Sequence, residues 1–112
     1  MPDYIGDVLK EYAELTKEIY ESALKAVILY GSYARGDYTE DSDVDILILV
    51  DMEEDEIGRS RERLSSLTYD FNEVHDLKIM PEVIGEKQFA YWLPVYSFYQ
   101  NIEKDGVSIY AA

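Results

Sequence analysis

The amino-acid sequence predicts an α+β (α/β-like) fold, a small mixed β-sheet with helices packed on it. Two apolar runs, 26–30 and 46–50, are short and rich in β-branched residues, which is typical of buried strands. Segments with helical periodicity lie before the first run and after the second. The chain has 112 residues, 47% of them hydrophobic, so we expect one core and a single domain over 1–112.

The predicted elements follow one another without a repeat or a linker. The first is an amphipathic helix over 3–24, and the strand at 26–30, a small-residue turn and the strand at 44–51 come next. Acidic residues at 51–56 favour the start of a second helix, because negative charge there complements the helix dipole. The apolar positions that define the core faces of these two helices are Ile5, Val8, Tyr12, Leu15, Ile19, Ile57, Leu64 and Leu67.

The second half of the chain contains a third predicted strand. Apolar and polar residues alternate over 74–80, as they do in a half-buried strand, and Pro81 is expected to end it. Short helices near 85–92 and 95–103 and a last strand near 106–110 complete the predicted fold.

The segment between the first two strands carries the most informative motif. Gly31-Ser32 is followed, after ten residues, by Asp43-x-Asp45. Gly31 has no β-carbon, so a phosphate can approach its N–H, and the Ser32 hydroxyl can donate to a phosphate oxygen. Asp43 and Asp45 lie two residues apart at the start of a strand, so they share one face. Such carboxylates, together with substrate phosphates, are ligands that suit Mg²⁺. The motif predicts transfer of a nucleotide from a metal-bound nucleoside triphosphate.

A third carboxylate would complete a site for two metal ions roughly 3.5–4 Å apart. Asp76 is the candidate, since it lies in the predicted strand at 74–80, where it could face Asp43 and Asp45 across the sheet. Glu73 is a weaker alternative, because it precedes that strand. A purely structural interpretation also exists, since Asp residues often form turns.

The motif G-S-Y-A-R-G that begins at Gly31, with the later D-x-D, resembles the nucleotidyltransferase superfamily related to DNA polymerase β. The short chain resembles the minimal nucleotidyltransferase group within it. This resemblance implies a polymerase-β-like fold and an enzyme that uses ATP and Mg²⁺, with two ions expected. It implies that the Gly-Ser turn holds triphosphate, that the acids of the motif bind metal, and that a later carboxylate completes the set. By position, the nucleotide-binding residues are Gly31, Ser32 and Arg35, and the catalytic and metal-binding residues are Asp43, Asp45 and Asp76.

The resemblance also implies a partner. Minimal nucleotidyltransferases often act as antitoxins beside a helical toxin of the HEPN class, and they transfer AMP from ATP to a tyrosine of that toxin. Two other functions are open: a non-catalytic antitoxin that neutralises its partner by occlusion, and a nucleotidyltransferase that modifies a small molecule. Intact Asp43 and Asp45 favour the enzyme.

Composition restricts the partners further. Ten basic and 24 acidic residues give a net charge of −14, so most of the surface would repel a polynucleotide, and we expect no nucleic-acid partner. Cysteine is absent from the sequence, which excludes disulfides and thiolate metal sites. No apolar run reaches the length of a membrane span and no signal segment is evident, so a cytoplasmic location is expected.

The densest aromatic stretch runs from Phe89 to Tyr99. It is either core packing or a surface for a partner, because large aromatic side chains are common in both settings. A homo-oligomer and a hetero-oligomer are both compatible with it.

Overall fold

A computed structural model describes residues 3–112 as four β-strands and five α-helices, with a 3-10 turn after the first helix. In chain order the elements are α1 (Asp3–Tyr20), the 3-10 turn (Glu21–Ala23), β1 (Leu24–Tyr30), α2 (Ser32–Arg35), β2 (Val44–Val50), α3 (Glu54–His75), β3 (Ile79–Gly85), α4 (Glu86–Trp92), α5 (Ser97–Asp105) and β4 (Val107–Ala111).

The four strands form one mixed sheet in the order β3-β2-β1-β4. β1 pairs antiparallel with β2 and with β4, whereas β2 pairs parallel with β3. The connection from β2 to β3 passes through α3, as a parallel pair requires. The prediction of a small mixed sheet covered by helices is therefore confirmed.

The helices cover both faces of the sheet. α1 and α3 pack on the first face in a core that includes Leu9, Val27, Ile46 and Phe71. α4 and α5 pack on the second face, on a smaller core that includes Leu47. Alternation along β2 directs its even-numbered residues to the first face and its odd-numbered residues to the second. The two acids of the D-x-D motif therefore belong to the side of α4 and α5.

Several element boundaries in the structure differ from the predicted ones by a few residues. α1 ends at Tyr20, and β1 already begins at Leu24. The two short predicted helices and the last strand are confirmed as α4, α5 and β4, each beginning or ending within two residues of its predicted limits.

The strand predicted over 74–80 is wrong. α3 continues to His75, and Asp76 is its C-cap, in the left-handed conformation with φ 52° and ψ 50°. The Asn72 side chain then receives a hydrogen bond of 2.9 Å from the Ile79 N–H, which starts β3 at that point. Pro81 lies inside β3 rather than after it, because β3 is an edge strand and an edge tolerates a missing N–H.

The aromatic stretch divides between core and surface. Phe89 and Tyr99 are buried, stacked with ring centroids 4.8 Å apart, whereas Tyr91, Tyr96 and Phe98 are exposed. Over residues 3–112, none of the helices is both long enough and apolar enough to span a membrane.

Candidate functional site

The site is built on a contact between Gly31 and Asp45. Tyr30, the last residue of β1, is paired with Asp45 of β2, so Gly31 turns directly over the Asp45 side chain. Gly31 has φ 76° and ψ −154°, a conformation that is essentially restricted to glycine. A β-carbon at this position would overlap Asp45 Oδ2 and lie 3.2 Å from its Cγ. Only glycine therefore lets this carboxylate lie against the turn.

The short helix α2 orients the residues that follow Gly31. The N–H groups of Ala34 and Arg35 each donate to the Gly31 carbonyl at 3.1 Å. Gly36 ends the helix with φ 90°, and its N–H donates to the Ser32 carbonyl at 2.9 Å. These bonds fix the backbone from which Ser32 and Arg35 reach the same cavity as Asp45.

The cavity measures about 330 Å³, at the lower end of the size range of small-molecule sites. It lies between the turn at Gly31 and the helix α5. Its lining combines a glycine backbone, a hydroxyl, a guanidinium, carboxylates and aromatic rings. The lining residues are Tyr30, Gly31, Ser32, Arg35, Asp45, Phe98, Asn101, Ile102 and Asp105.

Electrostatics in the cavity favour a bound cation. Partial burial raises the pKa of Asp45, the negative charge of Asp43 raises it further, and the Arg35 guanidinium lowers it. Burial also raises the pKa of Tyr30 to about 12, with further contributions from Asp45 and Glu82. Both shifts reflect partial burial together with nearby negative charge, and a bound cation would stabilise the ionised form of Asp45.

The donor set fits Mg²⁺. Asp43 and Asp45 offer carboxylate oxygens on one face of the sheet, and Mg²⁺ is usually bound by one or two carboxylates together with substrate phosphates. Within the part of the chain that the structure describes, no three Asp, Glu, His or Cys residues form a group that could hold a metal ion. The ion would therefore depend on this pair and on the phosphates of a bound nucleotide.

The structure brings most of the predicted site residues together. Gly31, Ser32, Arg35 and Asp45 line one cavity, and Asp43 lies two residues before Asp45 on the same face, close enough to raise its pKa. Asp76 is not part of this arrangement. It is exposed at the end of α3, the helix that packs on the opposite face of the sheet.

Glu82 is an acid that the sequence analysis missed. In the parallel pairing of β2 and β3, Asp45 lies beside Met80 and Leu47 lies beside Glu82. Side chains at paired positions share a face, so Glu82 is on the same side of the sheet as Asp45. Proline is tolerated within an edge strand. A predicted strand that continued through Pro81, rather than ending there, would have included Glu82.

The contribution of α5 was also missed. Phe98, Asn101 and Asp105 recur at spacings of three and four, so they form one stripe of this helix, and all three line the cavity. The helical spacing was visible in the sequence, but nothing there indicated that this stripe faces Gly31.

The family model described as "Nucleotidyltransferase domain" matches residues 9–109. The chain belongs to this family. It is similar to two candidate protein adenylyltransferases of Methanocaldococcus jannaschii. One is 33% identical over 91% of this chain and 94% of its own length, and the other is 34% identical over 94% and 98%.

Solved structures share the fold of this nucleotidyltransferase. A nucleotidyltransferase candidate from Sulfolobus solfataricus superposes with a TM-score of 0.58 at 24% identity, covering 95% of this chain and 79% of the other. A toxin–antitoxin crystal structure with AMP-PNP superposes with a TM-score of 0.58 at 18% identity, covering 92% and 73%. At these identities the likeness concerns the fold.

The contact between Gly31 and Asp45 predicts different results for two glycine substitutions. Gly31→Ala should displace the Asp45 carboxylate, destabilise the protein by roughly 1–3 kcal/mol and abolish ATP binding. Gly36→Ala is the matched control, because Gly36 also has a positive φ but has open space where a β-carbon would lie. It should cost about 1–2 kcal/mol and leave ATP binding intact. Urea unfolding and calorimetric titration with ATP and Mg²⁺ measure both effects, and equal ATP affinity in the two variants would contradict the prediction.

The raised pKa of Asp45 predicts a pH-dependent effect on stability. The native state holds this proton more tightly than the unfolded chain, where the ordinary value is 3.8. The stability that the native state gains from protonated Asp45 is therefore fully present below pH 3.8, and it is lost as the pH rises through the folded-state pKa. Asp45→Asn should increase the free energy of unfolding at pH 7 but not at pH 3. Urea unfolding at both pH values measures this, with the exposed Asp70→Asn as control, and a gain of equal size at both would contradict it.

Proposed function

We propose that this nucleotidyltransferase uses Mg²⁺ to transfer AMP from ATP to a hydroxyl group of a partner protein. The observation that carries the proposal is the placement of Gly31, Ser32, Arg35 and Asp45 around one cavity. That cavity combines groups that bind phosphate with a carboxylate that binds metal, which is what transfer from a nucleoside triphosphate requires.

Each residue has a role that its chemistry supports. The Gly31-Ser32 turn seats the β- and γ-phosphates, and the Arg35 guanidinium offsets their charge. Asp43 and Asp45 hold Mg²⁺, which when bound neutralises phosphate charge and polarises the α-phosphoryl group. The acceptor oxygen forms a bond to the α-phosphorus while the bond from that phosphorus to the bridging oxygen breaks. Pyrophosphate leaves, and the hydroxyl proton passes to a carboxylate of the site.

A protein acceptor is supported by three observations. Two relatives of nearly the same length carry names of candidate protein adenylyltransferases. One structure with the same fold is a toxin–antitoxin with AMP-PNP, which agrees with the HEPN-type toxin that the sequence resemblance implies as partner. Phe98, which lines the cavity, and Tyr91 of α4 are exposed aromatic side chains, and such side chains are enriched at protein interfaces.

Intact mass spectrometry of the partner tests the proposal. The protein encoded beside this chain is incubated with ATP, Mg²⁺ and about a tenth of an equivalent of the enzyme. Its mass should increase by AMP on most molecules, since roughly ten turnovers exceed any stoichiometric effect. Asp43→Ala combined with Asp45→Ala should abolish the transfer. Glu40→Ala combined with Asp41→Ala, which removes two exposed acids from the same loop, should retain it.

The same experiment separates catalysis from occlusion. If the partner keeps its mass and is still neutralised at a one-to-one ratio by the Asp43 and Asp45 double variant, the chain acts by binding alone. If a small alcohol becomes modified instead of the partner, the acceptor class is wrong and nucleotide transfer stands.

A matched pair of variants tests the third carboxylate. The sequence predicts Asp76 as this carboxylate, but we propose that Glu82 accepts the proton of the acceptor hydroxyl, because Glu82 shares the sheet face of Asp45 and its negative charge raises the pKa of Tyr30. Glu82→Gln should lower the transfer rate by about a hundredfold or more, the usual effect of losing an acid–base group. Asp76→Asn should change the rate by less than about threefold. Single-turnover rates at saturating ATP measure both, and the reverse ranking would restore Asp76 as the third carboxylate.

A further inference from the structure

The stripe Phe98, Asn101 and Asp105 on α5 has no role in the phosphate chemistry, although all three residues line the cavity. The helix is held firmly against the sheet. Ile102 is 2% exposed, and the Gly106 N–H donates to the Ile102 carbonyl at 2.7 Å. A β-carbon on Gly106 would lie 2.7 Å from Ile28 Cγ2 of β1, so the chain after Asp105 packs tightly on the sheet. The stripe therefore belongs to a helix that is packed on the sheet, and it forms one wall of the cavity.

Asp105 is chemically unsuited to the triphosphate. Asp105 lines the same cavity as Asp45, and negative groups repel phosphate. Asp105 is also the last residue of α5, where a negative charge is disfavoured by the helix dipole. Neither its carboxylate nor the Asn101 amide has a side-chain hydrogen-bond or ion-pair partner among residues 3–112. A partly buried acid at this position suits a neutral ligand that donates hydrogen bonds.

The ribose of a nucleotide is such a ligand. Its 2′- and 3′-hydroxyls are adjacent donors, and the two oxygens of one carboxylate can accept hydrogen bonds from both. In dinucleotide-binding folds, too, an acidic residue binds the ribose 2′-hydroxyl. Phe98 lies at the same wall, is 48% exposed and packs edge-on against Tyr30 with centroids 5.7 Å apart. Its exposed ring can stack on a base.

We infer that the α5 wall binds the nucleoside of the nucleotide, with Asp105 accepting from the ribose hydroxyls and Phe98 stacking on the base. Asp105 is then the specificity-determining residue that makes this enzyme select ribonucleotides over deoxyribonucleotides. The inference rests on the proposed function, since it takes ATP as the ligand of the cavity. It adds a selection step that the phosphate and metal ligands cannot provide, because ATP and 2′-deoxy-ATP have the same triphosphate.

Calorimetric titration of the full chain with ATP and with 2′-deoxy-ATP, both with Mg²⁺, tests the inference. The wild type should prefer ATP by roughly 10- to 100-fold, the range expected for hydrogen bonds to a charged group. Asp105→Ala should weaken ATP binding by more than it weakens 2′-deoxy-ATP binding, because 2′-deoxy-ATP loses only the hydrogen bond from its 3′-hydroxyl, so that the preference disappears. Glu103→Ala is the matched control. It removes the same charge from an exposed position of the same helix outside this cavity, and it should keep the wild-type preference.

Phe98→Ala provides a second readout. It should weaken both nucleotides by a similar factor, roughly 5- to 100-fold, because stacking does not depend on the 2′-hydroxyl. Tyr91→Ala, which removes an aromatic ring that is 72% exposed and outside the cavity, should have no effect on either affinity. The melting temperature of each variant shows whether it is folded. Asp105→Ala should not lower the melting temperature, because it removes a negative charge from the C-terminal end of α5.

Each outcome decides a different point. If the wild type binds neither nucleotide, the proposed function falls together with the inference. If ATP binds and Asp105→Ala retains the wild-type preference, only the inference is overturned. If Asp105→Ala leaves nucleotide binding unchanged but raises the KM for the acceptor protein, the α5 wall belongs to the acceptor. If it alters the preference for ATP over inosine triphosphate instead, Asp105 contacts the base amino group and not the ribose.

Discussion

The site depends on one steric constraint, which is that the Asp45 carboxylate occupies the space where any other residue at position 31 would place its β-carbon. The antiparallel pairing of β1 with β2 makes Tyr30 and Asp45 neighbours, so the chain must leave β1 directly over an acid. A glycine in a conformation that other residues avoid solves this problem. As a result, the backbone that can bind phosphate and the carboxylate that can bind metal are in contact before any ligand arrives.

The two faces of the sheet divide stability from function. The face covered by α1 and α3 holds the larger apolar core, including the buried hydrogen bond of 2.7 Å between Tyr12 and Thr68. The other face combines a smaller core with the polar cavity. There, burial and the nearby Asp43 raise the pKa of Asp45, so the native state keeps a carboxylate that is costly to ionise. A bound cation would remove that cost, which is a physical reason for the site to bind a metal–nucleotide complex.

The helix α5 links the cavity to the surface. Tyr99 and Ile102 are buried and hold the helix on the sheet, while Phe98 and Asp105 line the cavity. A chain of ring contacts through Tyr99, Tyr96 and Trp92 connects Phe98 to the exposed Tyr91. A protein that docked on these side chains would therefore lie beside the bound nucleotide. The net charge of −14 would make a basic partner surface the most favourable one.

The amino-acid sequence by itself predicted the fold class and most of the elements, because these depend on local periodicity. The spacing within one connection predicted Gly31, Ser32, Asp43 and Asp45 as site residues, and the family resemblance added Arg35; all of these except Asp43 line one cavity. Asp76 and Glu82 show where that reasoning ends. The alternating pattern at 74–80 also fits the end of a long helix, and only the packing of α3 and the bond from Ile79 to Asn72 place the strand three residues beyond Asp76. Likewise, α5 faces the turn at Gly31 only because both elements pack on one sheet, although some 65 residues separate them in the chain. Tertiary structure alone decided these two points, since contacts between distant segments leave no periodic signal in the sequence.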